Sequence, residues 1–416
     1  MSTLKVNKIR DTSGSADAIT LDPSGGAVLA GVTTISTARI TTGITTSIQV
    51  GGGVTISESG IEASGIGITC ANINGAAISG RRNMVYNGEM NIAQRGTTSG
   101  AGAGAGYDSV DRWESASASG GAYTSEQVTD APDGYKYSYK RTITTVNSTV
   151  DGGQYLTFRQ RLEGQDMQHL KYGTASALTT TLSFWVKSNK TGTYTVSVEN
   201  EDTAIYNGRT YTINSAGTWE YKTLTFVGQK TEESKAGPSN DTGAGIELQW
   251  WLKAGATFTS GTLVENTWQS TTNKRVASQV NVADTVGNYW QITGVQWEIG
   301  SQATPFEHRS VSDELTLCKR YFEKMVVDNY PMFPAGNNGV NSETRIPFKV
   351  EKRAAPTVTK SGNLNLTFNG TTSTNTDHSF GGATVFGAKI FAVISGANYQ
   401  ASTAVSSFTC LADAEI

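Results

Sequence analysis

The chain has 416 residues, of which 17% are charged, and its formal net charge is −3. The length exceeds one ordinary domain and predicts two or three, while the absence of a basic excess argues against a nucleic-acid-binding protein. No apolar run approaches the roughly 18 residues of a membrane-spanning helix, and the charged, weakly apolar start does not predict a signal peptide.

The composition favours an all-β protein with many turns. Glycine is abundant at 46 residues and proline is scarce at 8, which is typical of short strands joined by tight turns. The three cysteines, Cys70, Cys318 and Cys410, lie far apart in the sequence. This spacing argues against a disulfide framework or a zinc site, so we expect reduced, buried or half-buried thiols, no bound metal and no cofactor.

The first 30 residues predict one short strand. Leu4, Val6 and Ile9 alternate roughly with polar residues, and the pair Asp22-Pro23 predicts a turn. We treat residues 1–30 as one segment.

Residues 31–82 form a loose glycine-led repeat: GVTTIS at 31, GITTSI at 43, GVTISESGI at 53 and GIGIT at 65. No aromatic residue precedes Tyr86, so one chain buries too little apolar area to offset its conformational entropy. Three chains wound around one axis would pack the Ile and Val side chains against their copies and pair every edge strand. The pattern predicts an interwoven homotrimeric shaft, and the alternative is a low-complexity linker.

Residues 83–309 alternate apolar and polar side chains in segments bounded by turn residues. In TLSFWVKS, Leu182, Phe184 and Val186 fall on one face and Trp185 on the other. The segments TGTYTVSVEN and IELQWWLKAG alternate in the same way. This pattern predicts a jelly-roll-like β-sandwich.

One strand of this sandwich carries candidate ligand-binding residues. A saccharide site combines an aromatic ring, which stacks on the sugar, with polar groups that bind its hydroxyls. Trp251 offers the ring, and Glu247, Gln249 and Lys253 share its strand phase. The alternative is that a second layer covers this face too, in which case both Trp250 and Trp251 belong to a core.

Between Gln291 and Lys324 the spacing of the apolar residues changes from the two-residue period of a strand to the three- and four-residue spacing of a helix. This stretch begins as a strand in which Ile292 and then Val295, Trp297 and Ile299 alternate with polar residues after a break at Gly294.

Apolar residues then recur at helical spacing at Leu315, Cys318, Tyr321 and Phe322. We predict one short helix over Ser312–Val326, beginning at Ser312, with Asp313 and Glu314 in its first turn. This helix, within residues 310–326, would link the sandwich to a C-terminal domain.

Residues 327–416 predict a second, small β-sandwich. Strand-like runs such as NLNLTF and ATVFGAKIFAVIS are separated by Asn-Gly and Gly-Gly turns. Polar loops at 333–340 and 370–379 suit hydroxyl-rich ligands, and the alternative is ordinary solvated hairpin loops. The candidate contact residues in these tip loops are Phe333, Asn337, Asn338, Asn375 and Asp377.

Several motifs resemble one viral family. RRNMVYNGEMNIAQRGTTSG at 81–100, the following DRW, SFWVKS at 183–188 and GVQWEIG–ATPFEHRS–DELTLCKRYFEK resemble bacteriophage tail fibre and receptor-binding proteins. The start MSTLKVNKIRDTSG and the end LADAEI resemble tail fibres of marine cyanobacterial phages. The aromatic content and NMVYNGEM also resemble carbohydrate-binding modules.

The resemblance implies a virion role. It implies that residues 1–30, with Leu4, Val6 and Ile9, anchor the chain to phage tail adaptor, baseplate or nozzle proteins. It also implies synthesis in the bacterial host cytoplasm and a place in the virion as a tail fibre. Trp113, Trp185 and Trp297 lie in its motifs and are expected to be packing residues, and His308 is expected to form a structural hydrogen bond.

No local motif predicts catalysis. The sequence contains no nucleophile elbow, HExxH or paired CxxC, and its three histidines are scattered. We expect a non-enzymatic fibre that binds a host-surface glycan such as lipopolysaccharide, with no nucleic-acid partner and no membrane insertion. The alternatives are a purely structural virion fibre or decoration protein, and a glycan depolymerase, which would need two carboxylates across a cleft.

Overall fold

The computed structural model divides the chain into two compact units, Met1–Cys70 and Ala71–Ile416. Before residue 81 it describes eight short strands. From there on it describes residues 81–102, 106–118, 121–231, 235–327, 331–335, 341–361, 364–368, 371–375, 378–393, 402–404 and 408–416.

The described strands of the first unit form two small antiparallel sheets. Their bounds are β1 (Lys8–Arg10), β2 (Asp17–Leu21), β3 (Ala27–Leu29), β4 (Ser47–Val50), β5 (Val54–Ser57) and β6 (Gly60–Ala63). Ile9 lies in β1 opposite Ile19, and the repeat at 53 forms the β5–β6 pair. Leu4, Val6 and most of the other repeats fall outside the described residues, so the anchor and the trimeric shaft stay predictions.

The second unit opens with a two-stranded pair, β7 (Asn72–Ile73) and β8 (Ala76–Ala77). The next twelve strands are β9 (Thr98–Gly102), β10 (Glu114–Ala118), β11 (Ala122–Val128), β12 (Ser138–Thr145), β13 (Tyr155–Glu163), β14 (Thr180–Ser188), β15 (Gly192–Asn200), β16 (Ile205–Ile213), β17 (Glu220–Phe226), β18 (Ala244–Ala254), β19 (Trp268–Gln269) and β20 (Tyr289–Ile299).

These strands form two six-stranded antiparallel sheets. Sheet A has the order β10-β13-β18-β15-β16-β19, and sheet B has the order β17-β14-β20-β12-β11-β9. The chain crosses repeatedly between the sheets, for example from β13 to β14 and from β17 to β18, as in a jelly roll. The predicted β-sandwich is confirmed.

Aromatic rings fill the space between the two sheets. Phe158 stacks on Trp113 with ring centroids 4.8 Å apart and on Tyr139 at 4.2 Å. Phe184 and Trp250 meet edge to face at 5.5 Å. The predicted inward phases are confirmed, since these residues are all buried: Leu182, Phe184, Val186, Tyr194, Val196, Val198, Ile246, Leu248, Trp250, Leu252, Val295 and Trp297.

The described helices are short, and one differs from the prediction. They are three 3-10 helices, Gly164–Leu170, Thr272–Lys274 and Val282–Asp284, and two α-helices, α1 (Ala256–Thr259) and α2 (Val311–Lys319). The predicted helix over Ser312–Val326 is too long. Its start is capped by Ser310, whose Oγ accepts from the Asp313 backbone N–H at 3.1 Å. The run FEKMVV alternates and forms a strand instead.

Ten strands follow α2. They are β21 (Phe322–Val327), β22 (Pro331–Ala335), β23 (Asn341–Pro347), β24 (Thr357–Ser361), β25 (Leu364–Phe368), β26 (Thr371–Asn375), β27 (His378–Thr384), β28 (Gly387–Val393), β29 (Ser402–Ala404) and β30 (Phe408–Asp413). Sheet C has the order β21-β30-β24, and sheet D has the order β26-β25-β29-β22-β23-β28-β27. A second core between them contains Met325, Val327, Ile346, Ile390 and Cys410.

A buried ionic network joins the sandwich to the last strands. The Arg112 guanidinium contacts the Glu415 carboxylate and lies 3.4 Å from the centroid of the Tyr321 ring. Glu163 accepts hydrogen bonds from Tyr321 Oη at 2.6 Å and from Arg320 Nε at 2.6 Å. These contacts fix α2 and β30 against the edge of sheet A.

The thiols of Cys318 and Cys410 are free and buried, as predicted, and Cys70 lies outside the described residues. Burial raises the pKa of Cys410 to about 12, so this thiol stays protonated and unreactive.

We predict that Gly294→Ala destabilises the protein more than Gly287→Ala. Both glycines have positive φ, 61° and 83°, so each alanine adds backbone strain of roughly 1–2 kcal/mol. Only at Gly294 would the new Cβ meet a ring, that of Tyr135 at 2.7 Å, which adds about 1–3 kcal/mol. Urea unfolding monitored by tryptophan fluorescence gives both values, and equal losses would contradict the close contact.

Candidate functional site

The four residues predicted to bind a ligand share the outer face of sheet A, but this face is not exposed. Glu247, Gln249, Trp251 and Lys253 are each between 1% and 3% exposed. The segment after β18 covers them, and the Phe258 ring lies 5.0 Å from that of Trp251. The expectation of an open face is therefore wrong, because a second layer packs on it. Ligand binding by these residues remains a prediction that would require this layer to move.

Charged side chains on this face neutralise one another. Carboxylate oxygens of Glu199, Glu201 and Glu247 lie within 4.8 Å of one another. Arg159 Nη1 and Arg161 Nε each lie 3.1 Å from Glu247 Oε2.

Arg275 contacts the Glu199 carboxylate from the covering segment. Arg159 and Arg161 also pair with Glu114, so three guanidiniums face four carboxylates in one ion-pair network.

Burial raises the pKa of two carboxyl groups in this network. Burial raises the pKa of Glu199 to about 7, with Arg275 opposing the rise and Glu201 adding to it. Burial also raises the pKa of Glu247 well above its ordinary value, although Arg159 opposes the rise. Near pH 7 the Glu199 carboxyl is therefore partly protonated.

The outer face of sheet B is partly accessible at β14 and β17, where it carries aromatic rings, whereas the outward side chains of β20 are buried. Trp185 on β14 lies opposite Tyr221 on β17, with ring centroids 5.3 Å apart. Tyr221 is 45% exposed, and Trp185 is half-buried. Two neighbouring strands thus present a pair of rings to solvent on a hydrogen-bonded sheet.

Three more rings extend this surface. Tyr135 contacts Phe306 with centroids 5.4 Å apart and His308 at 5.7 Å. The bulge at Gly294 gives the Tyr135 ring its space. His308 contacts Glu89, so the predicted hydrogen bond of His308 is present.

Polar groups lie beside the rings. The Asp130 carboxylate accepts from Lys187 Nζ at 2.7 Å, Trp219 Nε1 at 3.2 Å and Gln291 Nε2 at 3.3 Å. Partial burial raises the pKa of Asp130, but these hydrogen bonds outweigh it and hold the pKa below its ordinary value. We name the rings Trp185, Tyr221, Trp219, Tyr135, Phe306 and His308 the aromatic face.

Sequence reasoning missed the aromatic face. Trp185 was expected to pack, as Trp113 and Trp297 do, but its side chain remains partly accessible. A usable pattern was present, because Trp185 and Tyr221 both alternate out of phase with the apolar residues of their strands. Tyr135 and Trp219 reach the same surface only through the fold.

The predicted tip residues are only partly described. Phe333 lies in β22 and Asn375 in β26, so neither is in the loop expected for it. The reason is pairing: Phe333 lies opposite Glu343, and Asn375 lies opposite Leu364. Asn337, Asn338 and Asp377 fall outside the described residues, and receptor contact at the tip stays a prediction.

No protein-family model matches the sequence, and no curated protein sequence matches it. Among solved structures, the enzymatically active domain of bacteriophage CBA120 tailspike protein 4 matches at 15% identity and a TM-score of 0.30, over 52% of this chain and 21% of that chain. TmCBM61 in complex with β-1,4-galactotriose matches at 12% identity and 0.26, over 53% and 100%.

A third solved structure is the family 11 carbohydrate-binding module from Clostridium thermocellum with a mixed-linked tetrasaccharide. It matches at 12% identity and a TM-score of 0.25, over 46% of this chain and 91% of that chain. Such low scores support no inference about function. Within the described part of the chain, no helix is both long and apolar enough to cross a membrane.

We predict that Glu199 makes the protein less stable as the pH rises. Its pKa is raised from 4.5 unfolded to about 7 folded, so the folded state holds a proton that the unfolded chain releases between these values. Its contribution to stability is therefore full below about pH 4.5 and lost by about pH 7. Glu199→Gln should reduce the loss of unfolding free energy between pH 5 and pH 8, measured by urea titration.

The matched control is Glu220→Gln. Partial burial of Glu220 is outweighed by hydrogen bonds from Lys222 and the backbone of Ser215 and Asn214, which lower its pKa to about 2. Its contribution is lost only as the pH falls below its ordinary range, so this variant should keep the pH dependence of the parent between pH 5 and pH 8. Identical pH profiles for the parent and Glu199→Gln would contradict the raised pKa.

Proposed function

We propose that this protein binds a saccharide through the aromatic face. The observation that carries the proposal is the pair of accessible rings, Trp185 and Tyr221, on adjacent strands of sheet B. A ring on a rigid strand can stack on the apolar face of a pyranose at little cost in side-chain entropy. Asp130, Lys187 and Gln291 lie at the edge of the rings and supply acceptors and donors for hydroxyl groups.

We propose further that the binding module belongs to a homotrimeric phage tail fibre. The motifs at 81–100, 183–188 and 294–324 support this placement by their resemblance to tail fibre proteins. The fibre would attach to tail adaptor, baseplate or nozzle proteins by residues 1–30 and recognise a host glycan such as lipopolysaccharide. Three weak sites on one stalk would bind a repetitive surface by avidity.

Two other functions remain open to test. A structural fibre or decoration protein would have no saccharide affinity, and purified protein would then fail to block phage adsorption. A depolymerase would lower the viscosity of a surface polysaccharide. We propose binding without catalysis because Glu199 and Glu247, the buried carboxylates of the described cluster, are paired with arginines.

We predict that Trp185→Ala and Tyr221→Ala each weaken glycan binding by about tenfold or more, equivalent to roughly 1.4 kcal/mol. Each change removes one of the stacking rings and leaves the apolar face of its strand intact. The measurement is binding to an array of bacterial surface polysaccharides, followed by titration of the best-bound member.

The matched control is Phe386→Ala. Phe386 is 65% exposed and lies in the turn between β27 and β28, away from the aromatic face. This variant should bind as the parent does. Binding that is unchanged in both aromatic-face variants would exclude this surface as the glycan site.

We predict that the full-length protein has the solution mass of three chains, measured by light scattering on a sizing column. A form that begins at Ala71, the start of the second compact unit, should trimerise more weakly, because it lacks the glycine-led repeat. A monomeric full-length protein would contradict the interwoven shaft.

A further inference from the structure

A cleft of about 720 Å³ lies on the outer face of sheet C. Its floor is made by the three strands β21, β30 and β24. Its wall is made by Gln94 and Arg95 from the large sandwich and by Glu415 after β30. The volume is in the range of small-molecule sites, about 300–1,000 Å³.

Strand pairing puts the floor residues in three cross-strand rows, the first of which is Phe322, Asp413 and Thr357. Lys324, Leu411 and Thr359 form one row.

Val326, Thr409 and Ser361 form the next row. The opposite faces of the same strands belong to the core, because Met325, Cys410 and Val327 are buried. The floor is therefore a fixed surface of hydroxyl and methyl groups.

The floor of the cleft carries four side-chain hydroxyls. Among the described residues, none of the four side-chain hydroxyls of Thr357, Thr359, Ser361 and Thr409 forms a hydrogen bond. These groups can both donate and accept. They suit a ligand that is itself rich in hydroxyl groups.

Among the described residues, the charged groups of the cleft include one cation, Lys324, that forms no ion pair. Arg95 pairs with Asp413 at 3.0 Å and with Glu415 at 3.3 Å, and its guanidinium lies 3.6 Å from the centroid of the Phe322 ring. Glu415 also contacts Arg112. Both carboxylates are thus engaged by guanidiniums, whereas the exposed Lys324 has no ion pair within the described residues.

We propose that this cleft is a second saccharide site, specific for an acidic sugar residue. The negative group of the sugar would pair with the Lys324 ammonium, and its hydroxyls would bond to Thr357, Thr359 and Ser361. Leu411 would contact the carbon face of the ring. The site extends the proposed function to a second ligand class, and it shares no residue with the aromatic face.

The test uses the full-length protein and matched probes. Trigalacturonate carries carboxylates, its methyl ester keeps the same skeleton without the charge, and glucose 1-phosphate is a monosaccharide that carries a phosphate instead of a carboxylate. Calorimetric titration should show that at least one acidic probe binds with a Kd below about 10 mM. Trigalacturonate should bind more tightly than its ester, and its affinity should fall with added salt.

Two variants locate the site. Lys324→Ala should weaken binding of the acidic probe by about fivefold, the scale of one surface ion pair, and Thr359→Val should weaken it by removing one hydroxyl at constant shape. Lys349→Ala removes an exposed lysine outside the cleft and should leave the affinity unchanged.

These measurements test the acidic-sugar cleft independently of the saccharide site proposed on the aromatic face. Failure of all acidic probes to bind, equal binding of the acid and its ester, or equal affinities of the parent and Lys324→Ala would overturn the acidic-sugar site. Trp185→Ala should not alter binding of the acidic probes. A loss confined to Trp185→Ala would instead place those probes on the aromatic face and refute the cleft.

Discussion

The burial of one guanidinium, Arg112, organises the second unit. A buried charge costs several kcal/mol unless it is paired and hydrogen-bonded, and Arg112 meets this requirement with groups from distant parts of the chain. It contacts Glu415, donates to the Arg161 carbonyl at 2.5 Å and faces the Tyr321 ring. These partners can be in place only when β30 and the end of α2 are seated against sheet A. The same Glu415 also pairs with Arg95, so the wall of the cleft depends on this arrangement.

In both sheets of the large sandwich, strand alternation separates inward from outward side chains, but the outward side chains of the two sheets have different surroundings. Inward residues of both sheets form one aromatic core. On sheet A the outward residues are charged or aromatic, and the segment after β18 covers them with Phe258, Val276 and Arg275. On sheet B the outward residues Trp185 and Tyr221 have no such cover. A covering segment, rather than strand phase, thus decides which tryptophan reaches solvent.

The aromatic face and the cleft would each bind a different class of sugar, and both are built on β-strands. The aromatic face relies on ring stacking, and the polar groups beside it are paired: Asp130 binds Lys187, and Glu89 contacts His308. In the part of the chain that the structure describes, the cleft hydroxyls and the Lys324 ammonium have no side-chain partner, and Leu411 is the apolar surface of the cleft. Sites built on strands hold their geometry better than sites on loops. A surface polysaccharide that contains neutral and acidic sugars would engage both.

Local pattern was enough to predict the elements of the sandwich. Alternation identified the strands around Phe184, Val196 and Trp250 and their inward faces, because a strand has a fixed period of two. The same pattern could not predict where α2 ends, because Tyr321 and Phe322 continue the helical spacing in sequence. In the structure Phe322 instead pairs with β30 and begins a strand. Trp251 and Trp185 have the same outward phase in sequence, and their exposure depends on a segment that folds back from elsewhere. The sequence alone therefore determined a mainly β chain with a jelly-roll sandwich, whereas the tertiary structure decided which outward face stays open, because coverage is a long-range contact that no local period encodes.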